Sequence, residues 1–577
     1  MRRSPWICAL CAAGVLAAAG FAPAPVGAAG PAASLVLING RIYTMDAARP
    51  WAQALAVRGQ RIAAVGSDAE VLRFKGAATR VIDLHGGFLL PGFIDSHVHF
   101  FDGGRYLTNV ALRDATTMAE VAHRVAEFAA LHPTDDWIEG EGWSYGYPDL
   151  PNGEFHKEDL DRVSGERPVF LDSSMAHAAW VNSAALRRAG ITRDTPNPAG
   201  GEIVRGADGE ATGWLKEEAA IRLVQAKIPP PTPAASVAAL TAAIRAANRV
   251  GLTRVDSAGG DFEFLPQLAS LERHGALTLR ISIADWINPP ALTRHELAIL
   301  ETARRRYHGA LLSCCVAKFL MDGVIESHTA FLPGGYADQP AVTGMHFFER
   351  EPYQASVQSL YRRHFQIYTH AIGDGAIKLA LDAYAAAQAR GTPAEQAAAR
   401  NRIEHMEAPD AADLPRFAEL GVIASMQPLM IYPRDEWKGM EGLWEQYAGA
   451  KFLPTAFPIR SLLDTHATVA FGTDWPVVQL NPLLGIRNAV LRQSLDGRPT
   501  GGYVPAQRIG VGEALRAYTL SAAYASRVER NEGSIEVGKF ADVVLLSKNL
   551  LEIPPDAIPS AEVLMTVVGG NIVYRKL

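Results

Sequence analysis

The sequence predicts an α/β fold: a (β/α)8 TIM barrel, a small β-sandwich domain built from both chain termini, and a long insert after barrel strand 1. Three observations predict it. Short apolar runs punctuated by glycine fill both ends of the chain. Eight strand-like runs, several separated by Ala-rich amphipathic stretches, fill the middle. Metal-ligand residue types close several of those eight runs.

At 577 residues, with 48% hydrophobic and 20% charged residues, the chain has the composition of a soluble globular protein of more than one domain. A net charge of −6 and the lack of basic runs argue against a nucleic-acid partner.

Residues 1–29 read as a signal peptide. Arg2 and Arg3 precede an apolar stretch from about Trp6 to Ala22, then Pro23, Pro25 and the small-residue site Val26-Gly27-Ala28. The apolar run is borderline for a membrane anchor, and the prolines favour cleavage. The mature chain is therefore expected to be exported, periplasmic or secreted, with no stable membrane insertion. Neither Cys8 nor Cys11 follows a lipobox-like sequence. With those two removed, only the adjacent Cys314 and Cys315 remain, and a strand directs them to opposite faces as packing residues.

From Ser34 to Leu90 the β segments are SLVLING, RIYTM, ALAVRG, RIAAVG and TRVIDLHG. ADVVLLS, AEVLMTVVGG and NIVYRK answer them after Asn531. Residues 30–90 and 531–577 are thus expected to form one sheet domain flanking a barrel at 91–530. The barrel runs are GFIDSH (92–97), LTRVDS (252–257), LTLRISIA (277–284), SCCVAKFLM (313–321), FQIYTH (365–370), NRIEH (401–405), GVIASMQ (421–427) and ATVAFGTD (467–474). Ala234 to Arg249 and Ala376 to Arg390 are helices between them. Residues 101–250 form an insert with at least one strand, RPVFLDSS, and a lid or specificity role is expected of it. Most of its aromatics, Trp137, Trp143, Tyr145, Tyr147, Trp180 and Trp214, are expected to form its own core.

The stretch Leu89 to Phe100, LLPGFIDSHVHF, organises the rest. Residues i and i+2 of a strand share a face, so His97 and His99 can aim at one metal ion. Lys318, His370, His405 and Asp474 lie at the ends of strands 4, 5, 6 and 8, where a barrel places its chemistry.

With LPGFIDSHVHF, the chain resembles the amidohydrolase superfamily through KFLMDGVIES, YTHAIGDGAI, NRIEHME, ASMQP, FGTDWPV and the tail GSIEVGKFADVVLL. The resemblance is closest to the branch holding N-substituted formamide deformylase, amidohydrolase family 3. It implies that His97, His99 and Asp474 hold one divalent metal ion and His370 and His405 a second. Lys318 would bridge them as a CO2-derived carbamate. The alternative is an ordinary lysine paired with Asp322 or Glu326, which leaves a mononuclear site. Nitrogen and oxygen ligands suit zinc, the first choice, and also manganese, cobalt or nickel. Two metals would generate hydroxide at neutral pH and polarise the scissile carbonyl, while Asp474 moves the water's proton to the leaving nitrogen. The chain departs from its relatives at DGVIESHTA, where Glu326 and His328 stand in place of frequent Gly and Arg. GEGWSYG and MAHAAWVNSAAL also resemble this branch, which makes Trp143 and His177, with His328, candidates for substrate binding.

The expected activity is hydrolysis of a non-peptide C–N bond in a small-molecule amide, a linear N-formyl or N-acyl amine. A cyclic-amide hydrolase or mononuclear deaminase is the alternative enzyme. A metal-free scaffold or binding protein is the alternative of another class. A Ser-His-Asp hydrolase has no support, because no G-x-S-x-G elbow occurs. A homodimer is a further expectation, since barrels of this kind often pair.

Overall fold

The computed structural model describes residues 32–144, 147–150, 154–173, 178–198, 201–216, 218–260, 262–432 and 442–576. At its centre is an eight-stranded parallel sheet whose strands follow chain order. Barrel strands 1 to 8 are Phe93–Val98, Leu252–Ser257, Arg280–Trp286, Leu312–Leu320, Gln366–Gly373, Arg402–Ala408, Ile423–Met426 and Val469–Phe471. All eight runs read from the sequence are strands. Their near-continuous burial is what a parallel sheet covered by helices requires.

Closure between strands 8 and 1 depends on close backbone approach. Val98 and Trp475 form a parallel bridge, and Asp95 accepts from the Thr473 amide at 2.9 Å and hydroxyl at 2.6 Å. A Cβ on Gly472 would stand 2.5 Å from the His97 nitrogen, so only glycine lets the strands meet.

Outside the strands, helix Asp374–Gln388 buries Ile377, Ala380, Leu381 and Tyr384, one apolar stripe at helical spacing. Helix Pro233–Arg249 starts at Thr232, whose side chain accepts from the Ala235 amide, with proline in the first turn. The sequence reading set this helix between barrel strands, although within the insert range 101–250. It packs on helix Phe100–Thr108 and on strand 2, and so belongs to the barrel's outer layer.

The termini form two sheets. Arg61–Gly66, Ala54–Arg58, Leu35–Ile38 and Arg80–Asp83 make one. Asn571–Arg575, Val563–Val568, Val543–Leu546, Phe88–Pro91, Arg41–Tyr43 and Trp51–Ala52 make the other, so both chain ends share one sheet. Leu35, Leu55, Val543 and Val567 share one core. Two buried ion pairs tie these ends to the barrel. Arg254 donates to Glu532 at 2.7 and 3.0 Å, and Arg280 to Asp542 at 2.7 and 3.1 Å.

The insert carries its own six-stranded mixed sheet, with neighbours Glu202–Arg205, Ala211–Lys216, Ala178–Val181, Val169–Ser173, Ile138–Trp143 and Val110–Ala111. Trp143, Trp180, Phe155 and Leu171 fill one of its cores. Cys314 and Cys315 are free thiols in strand 4, packed as read from the sequence. Among the described residues, no helix is long and apolar enough to cross a membrane.

Candidate metal centre

His97 and His99 leave strand 1 on the same side, and the turn after strand 8 brings Asp474 to them. The Asp474 amide donates to the His97 carbonyl at 2.6 Å, and the His99 amide to the Trp475 carbonyl at 2.8 Å. One carboxylate oxygen, Asp474 Oδ1, lies 3.3 Å from His97 Nε2 and 3.2 Å from His99 Nε2. The ligand atoms of the three residues lie within 4.8 Å of one another.

Second-layer contacts set the chemistry of this group. His97 Nδ1 meets Glu404 Oε2 at 2.6 Å. A carboxylate only accepts, so Nδ1 carries the hydrogen and Nε2 keeps its lone pair for a metal. Arg402 steadies Glu404 at 2.8 and 3.1 Å and reaches Asp256 at 3.0 Å. Burial opposes ionisation of Glu404, but Arg402 and His97 hold its carboxyl well below the usual range.

His97 Nε2 and Asp474 Oδ1 are buried with no hydrogen-bond partner among the described residues. Leaving such atoms unpaired costs about 1–3 kcal/mol each. A divalent cation between them removes that cost, so this donor set fits a metal.

His370, His405 and Lys318 stand beside this group. The His405 ring centroid is 4.8 Å from His97 and 4.4 Å from His370. His370 Nε2 lies 3.2 Å from the Gly323 carbonyl, an acceptor, which leaves Nδ1 as the free lone pair. Burial and the Lys318 charge pull the His370 imidazole down to about 3. Burial and His370 pull His405 well below its ordinary value. Both rings are therefore neutral, the form that binds metal.

Lys318 is buried, and burial pulls its ammonium down to about 8 against the pull of Glu404 and Asp474. It makes no ion pair with Asp322 or Glu326. Asp322 is taken instead by the amides of Phe331, Ile372 and Gly373 at 2.9, 3.0 and 2.9 Å. The electrostatic neighbours of Lys318 are Glu404, Asp474 and the Trp286 ring rather than the two acids of the ion-pair alternative.

Two of the candidate ligands sit in unusual backbone. His405 has φ 74°, Met406 52° and Asp474 62°, left-handed values that side chains larger than glycine seldom adopt. At strand 6 this breaks the alternation of faces, so that neighbouring Glu404 and His405 both serve the centre. Sequence reading missed Glu404 for this reason, although it lies within NRIEHME. It also missed Trp286, which stacks on His99 at 6.4 Å and lies 5.7 Å from Lys318 Nζ.

Beside His99 a cavity of about 500 Å³ separates barrel from insert, lined by Asp102, Arg105, Glu141, Asp172 and Pro476 among others. Trp143 is not on its wall. Its ring is fully buried 4.3 Å from Phe155, and its Nε1 donates to the Leu171 carbonyl at 2.8 Å, a core position in the insert. His328 is held by Asp338 at 2.9 Å and lies 4.1 Å from the Tyr447 ring, on the loop after strand 4. His177 lies outside the described residues.

Known proteins resemble this chain in sequence and in fold. The profile of the amidohydrolase family matches residues 80–574. Protein LONG AFTER FAR-RED 3 of Arabidopsis thaliana is 32% identical over 557 residues, 95% of this chain and 92% of that protein. N-substituted formamide deformylase of Arthrobacter pascens is 28% identical over 567 residues, 94% of this chain and 98% of that one. The crystal structure of an uncharacterized metal-dependent hydrolase from Pyrococcus furiosus matches with a TM-score of 0.70 at 25% identity, covering 90% of this chain and 100% of that one. The chain belongs to the amidohydrolase family and is a hydrolase of that superfamily.

Proposed function

We propose that the protein is an exported, metal-dependent hydrolase of a linear amide, an N-formyl or N-acyl amine. The observation that carries this reading is the buried, unpartnered pair His97 Nε2 and Asp474 Oδ1, set beside two neutral histidines. The relative named N-substituted formamide deformylase supports an amide as the substrate class. Export rests on the signal-like pattern of residues 1–29.

In this proposal His97, His99 and Asp474 hold one divalent ion, zinc by first choice, and His370 and His405 a second, with carbamylated Lys318 between. Such ions, when bound, supply Lewis acidity toward the scissile carbonyl and acidify a water. Asp474 accepts the proton of the attacking water and returns it to the departing nitrogen. A C–O bond forms at the carbonyl carbon, the C–N bond breaks, and a carboxylic acid and an amine leave. Glu404 keeps His97 in one tautomer throughout. Trp286 and the insert wall limit access of bulk water to this step.

The test is metal content per chain, on protein purified without chelator, for wild type and Lys318→Ala, followed by hydrolysis of N-butylformamide and N-butylacetamide. Two equivalents falling to one or none in the variant, with amide turnover by the wild type, is the expected result. One equivalent in both proteins replaces this reading with a mononuclear deaminase or amidase. No metal in either, with no uptake from zinc and bicarbonate, leaves a scaffold.

A further inference from the structure

Arg113 carries the insert across to the loop that presents Asp474. It follows the insert strand Val110–Ala111, which pairs with Ile138–Trp143. The Leu112 amide donates to the Glu141 carbonyl at 2.9 Å. A Cβ on Gly142, at φ 97°, would stand 2.7 Å from the Arg113 nitrogen, so glycine is what lets the two backbones meet. From this fixed base Arg113 Nη1 donates at 2.8 Å to the carbonyl of Val477, in the loop after strand 8. Arg113 and Val477 both line the cavity of about 500 Å³ beside His99, and the bond joins its two walls. Among the described residues it is the one hydrogen bond from the insert sheet to residues 474–477.

Two observations separate this bond from ordinary packing. The first is what the guanidinium passes over. Glu141 lies on the same cavity wall and feels the Arg113 charge, yet the two form no ion pair. A carboxylate is the stronger partner for a guanidinium, and here a backbone carbonyl across the cavity takes the bond instead. Arg113 keeps this position although its Nε is buried with no hydrogen-bond partner among the described residues. The second observation is what Val477 holds. Its amide donates to the Asp474 carbonyl at 2.9 Å and closes a turn that begins at Asp474. Asp474 has φ 62°, a conformation that persists only where the surroundings fix it. The barrel fixes the start of the turn, where Asp95 accepts from Thr473 and the His97 carbonyl accepts from the Asp474 amide. The Trp475 ring, packed against Gly103 and Phe100, holds its middle. Arg113 holds its end.

We infer that Arg113 is a positioning residue, which fixes the end of the Asp474–Val477 turn from the insert and thereby the place of the Asp474 carboxylate in the centre. This rests on the reading of Asp474 as metal ligand and proton carrier. It gives the insert a part in assembling the centre, besides the wall it contributes to the cavity.

The test uses the full chain as wild type, Arg113→Met and Arg113→Lys, each checked for folding by thermal melting. Arg113→Met keeps an apolar stem and removes the donor, while Arg113→Lys keeps the charge without the planar fork. Zinc affinity, read by competition with a coloured chelator, needs no substrate. It is expected to fall about tenfold in Arg113→Met and about threefold in Arg113→Lys. With N-butylformamide, kcat is expected to fall about tenfold in Arg113→Met while KM stays within about twofold, because a displaced Asp474 slows proton transfer without loosening the amide. Wild-type zinc affinity in both folded variants overturns the inference, as does wild-type affinity in Arg113→Lys where Arg113→Met does not fold. A raised KM at unchanged kcat and zinc affinity also overturns it and makes Arg113 a substrate-binding residue. Lower zinc affinity in the variants, with no amide hydrolysed by the wild type, supports the inference and overturns the amide-hydrolase reading.

Discussion

Arg254 and Arg280, in the N-terminal halves of strands 2 and 3, are each gripped by a carboxylate from the C-terminal segment, whereas His97 Nε2 and Asp474 Oδ1, at the opposite end of the barrel, are buried 3.3 Å apart with no hydrogen-bond partner among the described residues. Both ends bury polar groups at similar depth. They differ in whether the protein itself completes the pairing. Where Glu532 and Asp542 close the pairs, the result joins the terminal sheets to the barrel. Where the pairing is left open, with ligands held at left-handed φ, the surrounding fold bears the cost and a cation can recover it. A buried charge with all its partners marks architecture, and one without them marks chemistry.

Breaking a closed pair is the largest change this contrast predicts. Glu532→Gln leaves the Arg254 guanidinium buried without its charge partner, and is expected to cost about 3–5 kcal/mol of unfolding free energy. Chemical denaturation measures it, and metal content is expected to stay at the wild-type level in the folded variant. Loss of metal along with stability would show that the two ends are not separable, and the contrast would fail.

A smaller effect is expected at the seam between the two kinds of pairing. Glu404 is closed on one side by Arg402 and open on the other toward His97. Glu404→Gln keeps the volume but weakens the anchor that selects the His97 tautomer. Metal affinity is expected to fall about 10–100-fold, read by competition with a coloured chelator. An unchanged affinity would mean that strand geometry alone orients His97.

The closed architecture was more legible in the sequence than the open site. Eight apolar runs with defined punctuation identify the barrel, because burial on both faces demands continuous hydrophobic strands. The histidines and Asp474 were legible because strand ends converge at one face of such a barrel. Glu404 was not, since alternation assigns it to the face opposite His405, and only the left-handed φ at His405 and Met406 reverses that. Trp143 was read from GEGWSYG as a pocket candidate, yet its neighbour Phe155 makes it core, a contact no local pattern reveals.

The cavity wall offers the finest test of the contrast, at Glu141. Its neighbour on the same face of the strand, Glu139, meets Arg105 at 2.5 Å, while Glu141 has no ion pair among the described residues. Burial pushes the Glu141 carboxyl from 4.5 up to about 7, with Arg113 opposing and Asp102 adding to the rise. In the unfolded chain this group ionises near its ordinary value. Between there and about pH 7 the folded state holds a proton that the unfolded state has lost, so stability falls as pH rises through that window and is flat above it. Glu141→Gln removes this slope. Denaturation at about pH 5 and about pH 8 is expected to show the wild type losing about 1–2 kcal/mol more than the variant, the full shift being reduced because the cavity admits water. Equal losses would mean that Glu141 is ionised throughout and that a cation has entered the cavity to meet it, which would move this wall from the open class to the closed one.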